Sequence, residues 1–119
     1  MIIASCHCGG VRIEVARTPQ SLTSCNCSIC RRLGALWAHY TRCEARLLSD
    51  GSSAAAYLWN DRVIEFYHCV VCGCATHYES VEKTDDSRFS VNARCMPAED
   101  IANARVRRFD GAGSWKFID

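Results

Sequence analysis

Three short segments gather eight of the ten cysteines. They are Cys6-His7-Cys8-Gly9-Gly10, Cys25-Asn26-Cys27-Ser28-Ile29-Cys30 and Cys69-Val70-Val71-Cys72-Gly73-Cys74, with Cys43 and Cys95 standing apart. A C-x-C pair on extended chain projects both sulfurs to one face, because side chains alternate residue by residue. A C-x-x-C pair converges its sulfurs on a tight turn, where a following glycine supplies the positive φ the turn needs. Sulfurs brought together in this way suit a soft divalent ion, and a closed structural zinc site takes four of them in a tetrahedron. Eight sulfurs make two such sets. Counting favours Cys6, Cys8, Cys69 and Cys72 on one ion and Cys25, Cys27, Cys30 and Cys74 on the other. Cys72 and Cys74 then face different ions across Gly73. Counting leaves open another partition, with Cys6 and Cys8 joined to Cys27 and Cys30.

Disulfides are the competing use of clustered cysteines. At roughly 8% cysteine the chain sits at the threshold of a secreted disulfide scaffold. Its first residues, Met1-Ile2-Ile3-Ala4-Ser5-Cys6, have no basic region followed by a long apolar segment, and no run reaches the ~18 apolar residues of a membrane span. The expectation is therefore a cytoplasmic protein, without membrane attachment, whose thiols stay reduced and bind metal. A redox dithiol at Cys27 and Cys30 would account for one pair and leave six clustered thiols unexplained. Lys plus Arg is 14 and Asp plus Glu is 13, a formal charge of +1. Two four-thiolate zinc sites would move that to about −3, since coordinated thiols are deprotonated. A general nucleic-acid binder shows a basic excess, so no nucleic-acid partner is expected.

The elements that must hold these sulfurs read mainly as strands. Val11, Ile13 and Val15 alternate with Arg12 and Glu14 in the period of a half-buried strand. Ala56–Trp59 and Arg62–Tyr67 flank Asn60-Asp61, which predicts a tight hairpin. Ala75–Ser80 and Arg88–Ala93 predict two more strands, with Leu36–Thr41 a weaker one. Val106 begins a further strand that turns at Asp110-Gly111 and ends in a tail anchored by Trp115 and Phe117. Pro97–Ala104 alone reads as helix, with Pro97 in the first turn and Glu99 and Asp100 at the positive end. The 119 residues (13.3 kDa), 49% hydrophobic and 23% charged, fit a single domain over 1–119. One structural zinc contributes on the order of 10–16 kcal/mol, comparable to or above the whole net stability of a domain. At least one ion is then a condition of folding.

Cys6-His-Cys-Gly-Gly-Val-Arg-Ile, Cys25-Asn-Cys-Ser-Ile-Cys-Arg-Arg-Leu-Gly and Tyr67-His-Cys-Val-Val-Cys-Gly-Cys-Ala-Thr together resemble the glutathione-dependent formaldehyde-activating (GFA) family, which includes the centromere protein V type. Phe89-Ser-Val-Asn-Ala-Arg-Cys and Phe109-Asp-Gly-Ala-Gly-Ser-Trp-Lys resemble its later segments. The resemblance implies a mainly β, antiparallel β-tent type zinc-binding fold with two zinc sites and at most one short helix. It implies a carbon–sulfur lyase activity on a thiol–aldehyde adduct such as S-hydroxymethylglutathione, with small-molecule thiol and aldehyde partners. Its structural zinc ligands map onto Cys6, Cys8, Cys69 and Cys72, and its active-site ligands onto Cys25, Cys27, Cys30 and Cys74. A family's substrate transfers less well than its fold and metals.

Addition of a thiol to an aldehyde needs a thiolate and a polarised carbonyl, and zinc can supply either. A fully thiolate-ligated zinc is a poor Lewis acid, so catalysis favours three sulfurs and an open position, with Cys25 or Cys74 yielding its place. A glutathione-like thiol carries two carboxylates, which guanidinium groups bind well. Arg31 and Arg32, directly after Cys30, are the candidates for that contact, with Arg31 and Cys25 the candidate catalytic residues. Among the four histidines, His39 lies nearest after the second cluster, whereas His7 and His68 point away from their cysteine neighbours if extended. Asn92 is a candidate brace for the site or a strand-end residue. Two other readings stand beside the enzyme. One is a zinc-stapled binding module without catalysis. The other is a thiol-redox enzyme using Cys95, related to the methionine-R-sulfoxide reductases. Cys43 and Cys95 read first as small apolar residues, and Trp37, Trp59 and Trp115 as packing residues.

Overall fold

A computed structural model describes residues 2–119 and resolves them into two sheets. The smaller is antiparallel and contains β1 (Ile2–Ser5), β2 (Arg12–Val15) and β5 (Ala45–Leu47), in the order β1-β2-β5. The larger contains β3 (Ser21–Cys25), β4 (Trp37–Thr41), β6 (Ala54–Tyr57), β7 (Ile64–Cys69), β8 (Ala75–Ser80), β9 (Arg88–Asn92) and β10 (Arg105–Phe109), in the order β10-β3-β4-β9-β8-β7-β6. Only β10 against β3 is parallel. Two short helices, α1 (Ser28–Leu33) and α2 (Ala98–Ile101), complete it.

The alternation of each strand sorts its residues between two faces. Val11, Ile13 and Val15 from the smaller sheet meet Leu22, Ala38, Tyr40, Phe89 and Val91 from the larger in one buried core. The strand read at Val11–Val15 is therefore half-buried as its pattern requires. The opposite face of the larger sheet carries the other residues of the same strands. Register pairs Thr23 with Trp37, His39 with Ser90, Ser90 with Tyr78 and Tyr78 with Phe66 across β3, β4, β9, β8 and β7. Cys25 lies two residues beyond Thr23 on that same face. Trp37 packs edge-on to Tyr78 at 4.8 Å between ring centroids, and Phe66 lies 5.3 Å from Tyr78. Within the core, the His77 ring stacks between Tyr67 (4.5 Å) and Phe89 (5.0 Å), and its Nδ1 shares a 2.8 Å hydrogen bond with Thr76 Oγ1.

The chain is mainly β, as its composition of strand signals predicts. β8 spans the predicted residues, and β4 and β9 differ from prediction only at their ends. The hairpin of β6 and β7 exists, but its register pairs Tyr57 with Phe66. Residues 58–63 separate the two strands, with Asn60 and Arg62 at positive φ, so the connection is not a two-residue turn. The predicted Pro97–Ala104 helix shrinks to one turn, with Pro97 at its N-cap. A second helix, α1, arises where none was read. It forms because the Cys27 sulfur caps its first turn by accepting from the Cys30 N–H, and Gly34, in the left-handed region at φ 66°, closes its end. Cysteine is not an ordinary N-cap residue, so the signal for this helix was hidden in the ligand motif. No helix among the described residues is long and apolar enough to cross a membrane.

Candidate metal centres

The first group forms where the end of β1 approaches the end of β7. Cys6, Cys8, Cys69 and Cys72 place their sulfurs within 4.8 Å of one another. Cys6 Sγ and Cys8 Sγ lie 3.7 Å apart, and Cys8 Sγ and Cys69 Sγ 3.6 Å apart. A tetrahedron with zinc–sulfur bonds of about 2.3 Å has edges of roughly 3.8 Å, whereas bonded disulfide sulfurs sit at about 2.0 Å. All ten cysteines are free thiols, so the spacing fits ligands and not disulfides. Backbone donors stabilise the negative charge that ligation places on the sulfurs. Val11 N–H donates to Cys6 Sγ (3.2 Å), Gly10 N–H to Cys8 Sγ (3.4 Å), and Val71 and Cys72 N–H to Cys69 Sγ (3.4 and 3.5 Å). The amides of Cys74 and Cys8 pull the Cys72 thiol down to about 5. Gly73 makes the knuckle possible, at φ 78°, with its N–H closing the turn onto Cys69 O at 3.0 Å. Cys6 and Cys69 are buried and Cys8 is exposed, so the group seals the seam between the two sheets.

The second group holds three sulfurs, Cys25, Cys27 and Cys30, again within 4.8 Å of one another. Cys25 ends β3, Cys27 caps α1, and Cys30 lies one turn into the helix, buried against Ala35 and Trp37. Trp37 Nε1 donates to Cys30 Sγ at 3.3 Å, and the amides of Cys30 and Cys27 donate to Cys27 Sγ (3.4 Å) and Cys25 Sγ (3.5 Å). Burial pushes the Cys25 and Cys30 thiols up. Burial works the same way on Cys27, but the Cys30 amide and the neighbouring thiols outweigh it and leave Cys27 lowered. The donor set fits a soft divalent ion held by three sulfurs, with the fourth direction left to another ligand.

The chain beyond β10 forms one wall of this group. Asn26 Nδ2 donates to Asp110 Oδ1 at 2.9 Å, and Asn26 Oδ1 accepts from Ala112 N–H at 2.9 Å. This two-way clasp lays the turn at Asp110–Ser114 over the cysteines. Gly111 faces them so closely that a Cβ there would sit 2.7 Å from Cys25 Sγ and 3.1 Å from Cys27 Cβ, with the Trp115 ring 3.5 Å away. Trp115 packs edge-on to Phe109 at 5.0 Å yet stays 70% exposed.

Cys74 is not among the sulfurs that lie within 4.8 Å of one another in the second group. Its amide points at Cys72 Sγ, and it packs with Cys72 and Cys95 against the main core, whereas Cys25, Cys27 and Cys30 belong with Trp37. The reason is topological. Gly73 turns the chain back into β8 beside β7, on the side of the first group. Arg31 is exposed, and Arg32 turns back onto its own helix to donate to Ser28 O at 2.8 Å. His7 and His68 are exposed. Asn92 is a brace, accepting from Leu36 and Arg94 N–H (3.3 and 3.2 Å) and donating to Ala75 O (2.8 Å), which ties the starts of β4 and β8 together. Cys95 is half-buried, hydrogen-bonded to Ala75 O, and its thiol is pushed up to about 11 by burial. That is the opposite of an activated nucleophile. Sequence reading missed Asn26, Gly111 and the indole N–H of Trp37 as parts of the site. The Asp110-Gly111 turn was visible, but nothing local tells which cysteines it meets.

The model of the glutathione-dependent formaldehyde-activating enzyme family matches residues 1–110 of the chain. Among solved structures, the fold is similar to a crystal structure of a Rhodobacter sphaeroides protein. The TM-score is 0.71 and the identity 26%, over 87% of this chain and 98% of that one.

Proposed function

Because the chain belongs to the glutathione-dependent formaldehyde-activating family, we propose that it makes and breaks the carbon–sulfur bond between a thiol and an aldehyde, as in S-hydroxymethylglutathione. In the forward direction the sulfur adds to the carbonyl carbon and the thiol proton passes to the carbonyl oxygen; the lyase direction reverses both. Cys6, Cys8, Cys69 and Cys72 would hold one zinc ion, and Cys25, Cys27 and Cys30 a second. Zinc in the second group supplies thiol acidification or carbonyl polarisation.

The chain's own residues prepare that position. Trp37, through its N–H, withdraws charge from Cys30 Sγ and fixes its rotamer. Cys27 is locked by its capping role in α1. Gly111 lets the turn close directly onto Cys25, where even a Cβ would collide with the sulfur, and the Asn26–Asp110 clasp holds that turn in place. The observation that carries the reading is the count of sulfurs: four converge in the seam between the sheets and three beneath the Gly111 turn. A closed tetrahedron is structural, and three protein ligands with an open fourth position are the pattern of catalytic zinc. The free thiols suit a reducing compartment such as the cytoplasm.

Exchange NMR between formaldehyde, glutathione and their adduct tests the activity. Zinc-loaded protein is expected to speed the exchange above its spontaneous rate, and Cys27→Ser to return it to that rate while keeping one zinc. Exchange unchanged by the two-zinc protein would remove the proposal.

A further inference from the structure

On the sheet face that carries Cys25 and Trp37 lies a polar cluster that the proposed chemistry leaves unused. Arg88 Nη1 is 2.9 Å from His39 Nδ1 and 3.4 Å from Tyr78 Oη, and Ser90 Oγ lies 2.6 Å from the same His39 nitrogen. A guanidinium can only donate. His39 Nδ1 is therefore the unprotonated nitrogen, and Nε2–H faces Thr23 Oγ1 at 3.1 Å. The ring is neutral and serves as an acceptor that fixes the arginine. Arg88 forms none of the ion pairs among the described residues. It is a full positive charge, exposed, held on one edge by neutral partners and with its other N–H groups unclaimed. A long side chain is ordinarily immobilised only at an entropic cost, and a surface arginine without a carboxylate has no need of two side-chain acceptors.

Its position gives the fixed charge a use. Thr23 pairs with Trp37, and Cys25 is two residues, about 7 Å, further along the strand. His39 is two residues beyond Trp37 in the other direction. His39, and the Arg88 guanidinium beside it, thus sit about four residue steps from Cys25 along the sheet, roughly 13 Å. The buried Trp37 ring and the half-buried Tyr78 ring fill the interval. Beyond His39 the face continues into a shallow cavity of about 170 Å³ lined by Ser21, Gln20 and Arg17.

We propose that Arg88, positioned by His39, anchors a carboxylate of the thiol substrate. This rests on the thiol–aldehyde reading for the identity of the ligand and deepens it, moving the anion contact from Arg31 and Arg32 to the sheet face. Bidentate guanidinium–carboxylate recognition supplies both energy and orientation.

S-methylglutathione keeps both carboxylates but has no thiol to exchange onto a metal, so its binding reports the anchor alone. Calorimetry is expected to show at least tenfold weaker binding to Arg88→Gln than to the unaltered protein. Arg88→Lys is expected to recover part of the loss, and the diethyl ester to bind the unaltered protein weakly and Arg88→Gln no worse. Zinc content and circular dichroism of each variant establish that it has folded. Equal affinity of Arg88→Gln, an ester as tight as the diacid, or no binding to the unaltered protein would each overturn the anchor. The two readings separate in the exchange assay. Arg88→Gln is expected to raise KM for glutathione while leaving the rate with 2-mercaptoethanol unchanged. Catalysis with an unaltered glutathione KM in the variant sinks the anchor alone. Arg88-dependent binding without any catalysis sinks the activity and leaves the anchor standing.

Discussion

Gly111 concentrates the demands of the second group in one missing methyl. A Cβ at 2.7 Å from Cys25 Sγ lies inside any normal contact, and both neighbours are short, stiff side chains on fixed backbone. Gly111→Ala is expected to displace the turn or the sulfur, cutting retained zinc from two ions per chain to one with the fold intact; metal analysis and circular dichroism read both. Cys74 gives the complementary test. It lies beside Cys72 and away from the second group, so Cys74→Ser is expected to keep both zincs. Loss of one would restore the four-sulfur partition that counting suggested. At Trp37, the N–H to Cys30 Sγ is a hydrogen bond to a charged acceptor, worth about 1.5–3 kcal/mol. Trp37→Phe keeps most of the packing against Tyr78 and is expected to weaken the second zinc roughly tenfold or more, as measured by competition with a chelating dye.

The elements translate those residues into position. β8 runs its inward residues, Thr76 and His77, into the core, and burial depresses His77 to about 4. In the folded state the ring stays neutral, while in the unfolded chain it takes a proton near pH 6.5. The unfolded state therefore binds more protons between about pH 6.5 and 4, and stability falls as pH drops through that window. The whole shift corresponds to on the order of 3 kcal/mol. His77→Phe keeps an aromatic ring between Tyr67 and Phe89 and cannot titrate. Urea denaturation at pH 7.5 and pH 5 is expected to show a smaller pH difference for this variant, the remainder reporting thiolate protonation and metal loss. α1 is the other decisive element. Six residues are too few to be stable alone, and its cap is a sulfur of the second cysteine group. Helix and second metal group should thus order together, with amide exchange in residues 28–33 accelerating when zinc is removed.

For the molecule as a whole, the first group ties residues 6–8 to residues 69–72 across the junction of the two sheets. The energy of such a site exceeds the usual net stability of a domain. Cys69→Ser is accordingly expected to give aggregated or unfolded protein, and Cys30→Ser a folded protein with a single zinc, compared by thermal melting and metal content. A chelator should act in two stages, emptying the three-sulfur group, which lacks a fourth cysteine, without loss of strand signal and unfolding the chain only when the four-sulfur group yields.

Much of this was legible in the chain. The C-x-C and C-x-x-C spacings act over one to four residues, where backbone geometry alone dictates that sulfurs converge, and the period of Val11, Ile13 and Val15 fixes which side of a strand is buried. Counting therefore reached the first group, the mainly β class and most strands. It could not place Cys74, because the choice between two groups depends on which way the chain leaves Gly73 once β7 and β8 have paired. Nor could it bring Gly111 over Cys25, or Arg88 to His39 across 49 residues. Those contacts exist only because strands distant in sequence became neighbours, and sequence spacing carries no information about which strands will pair.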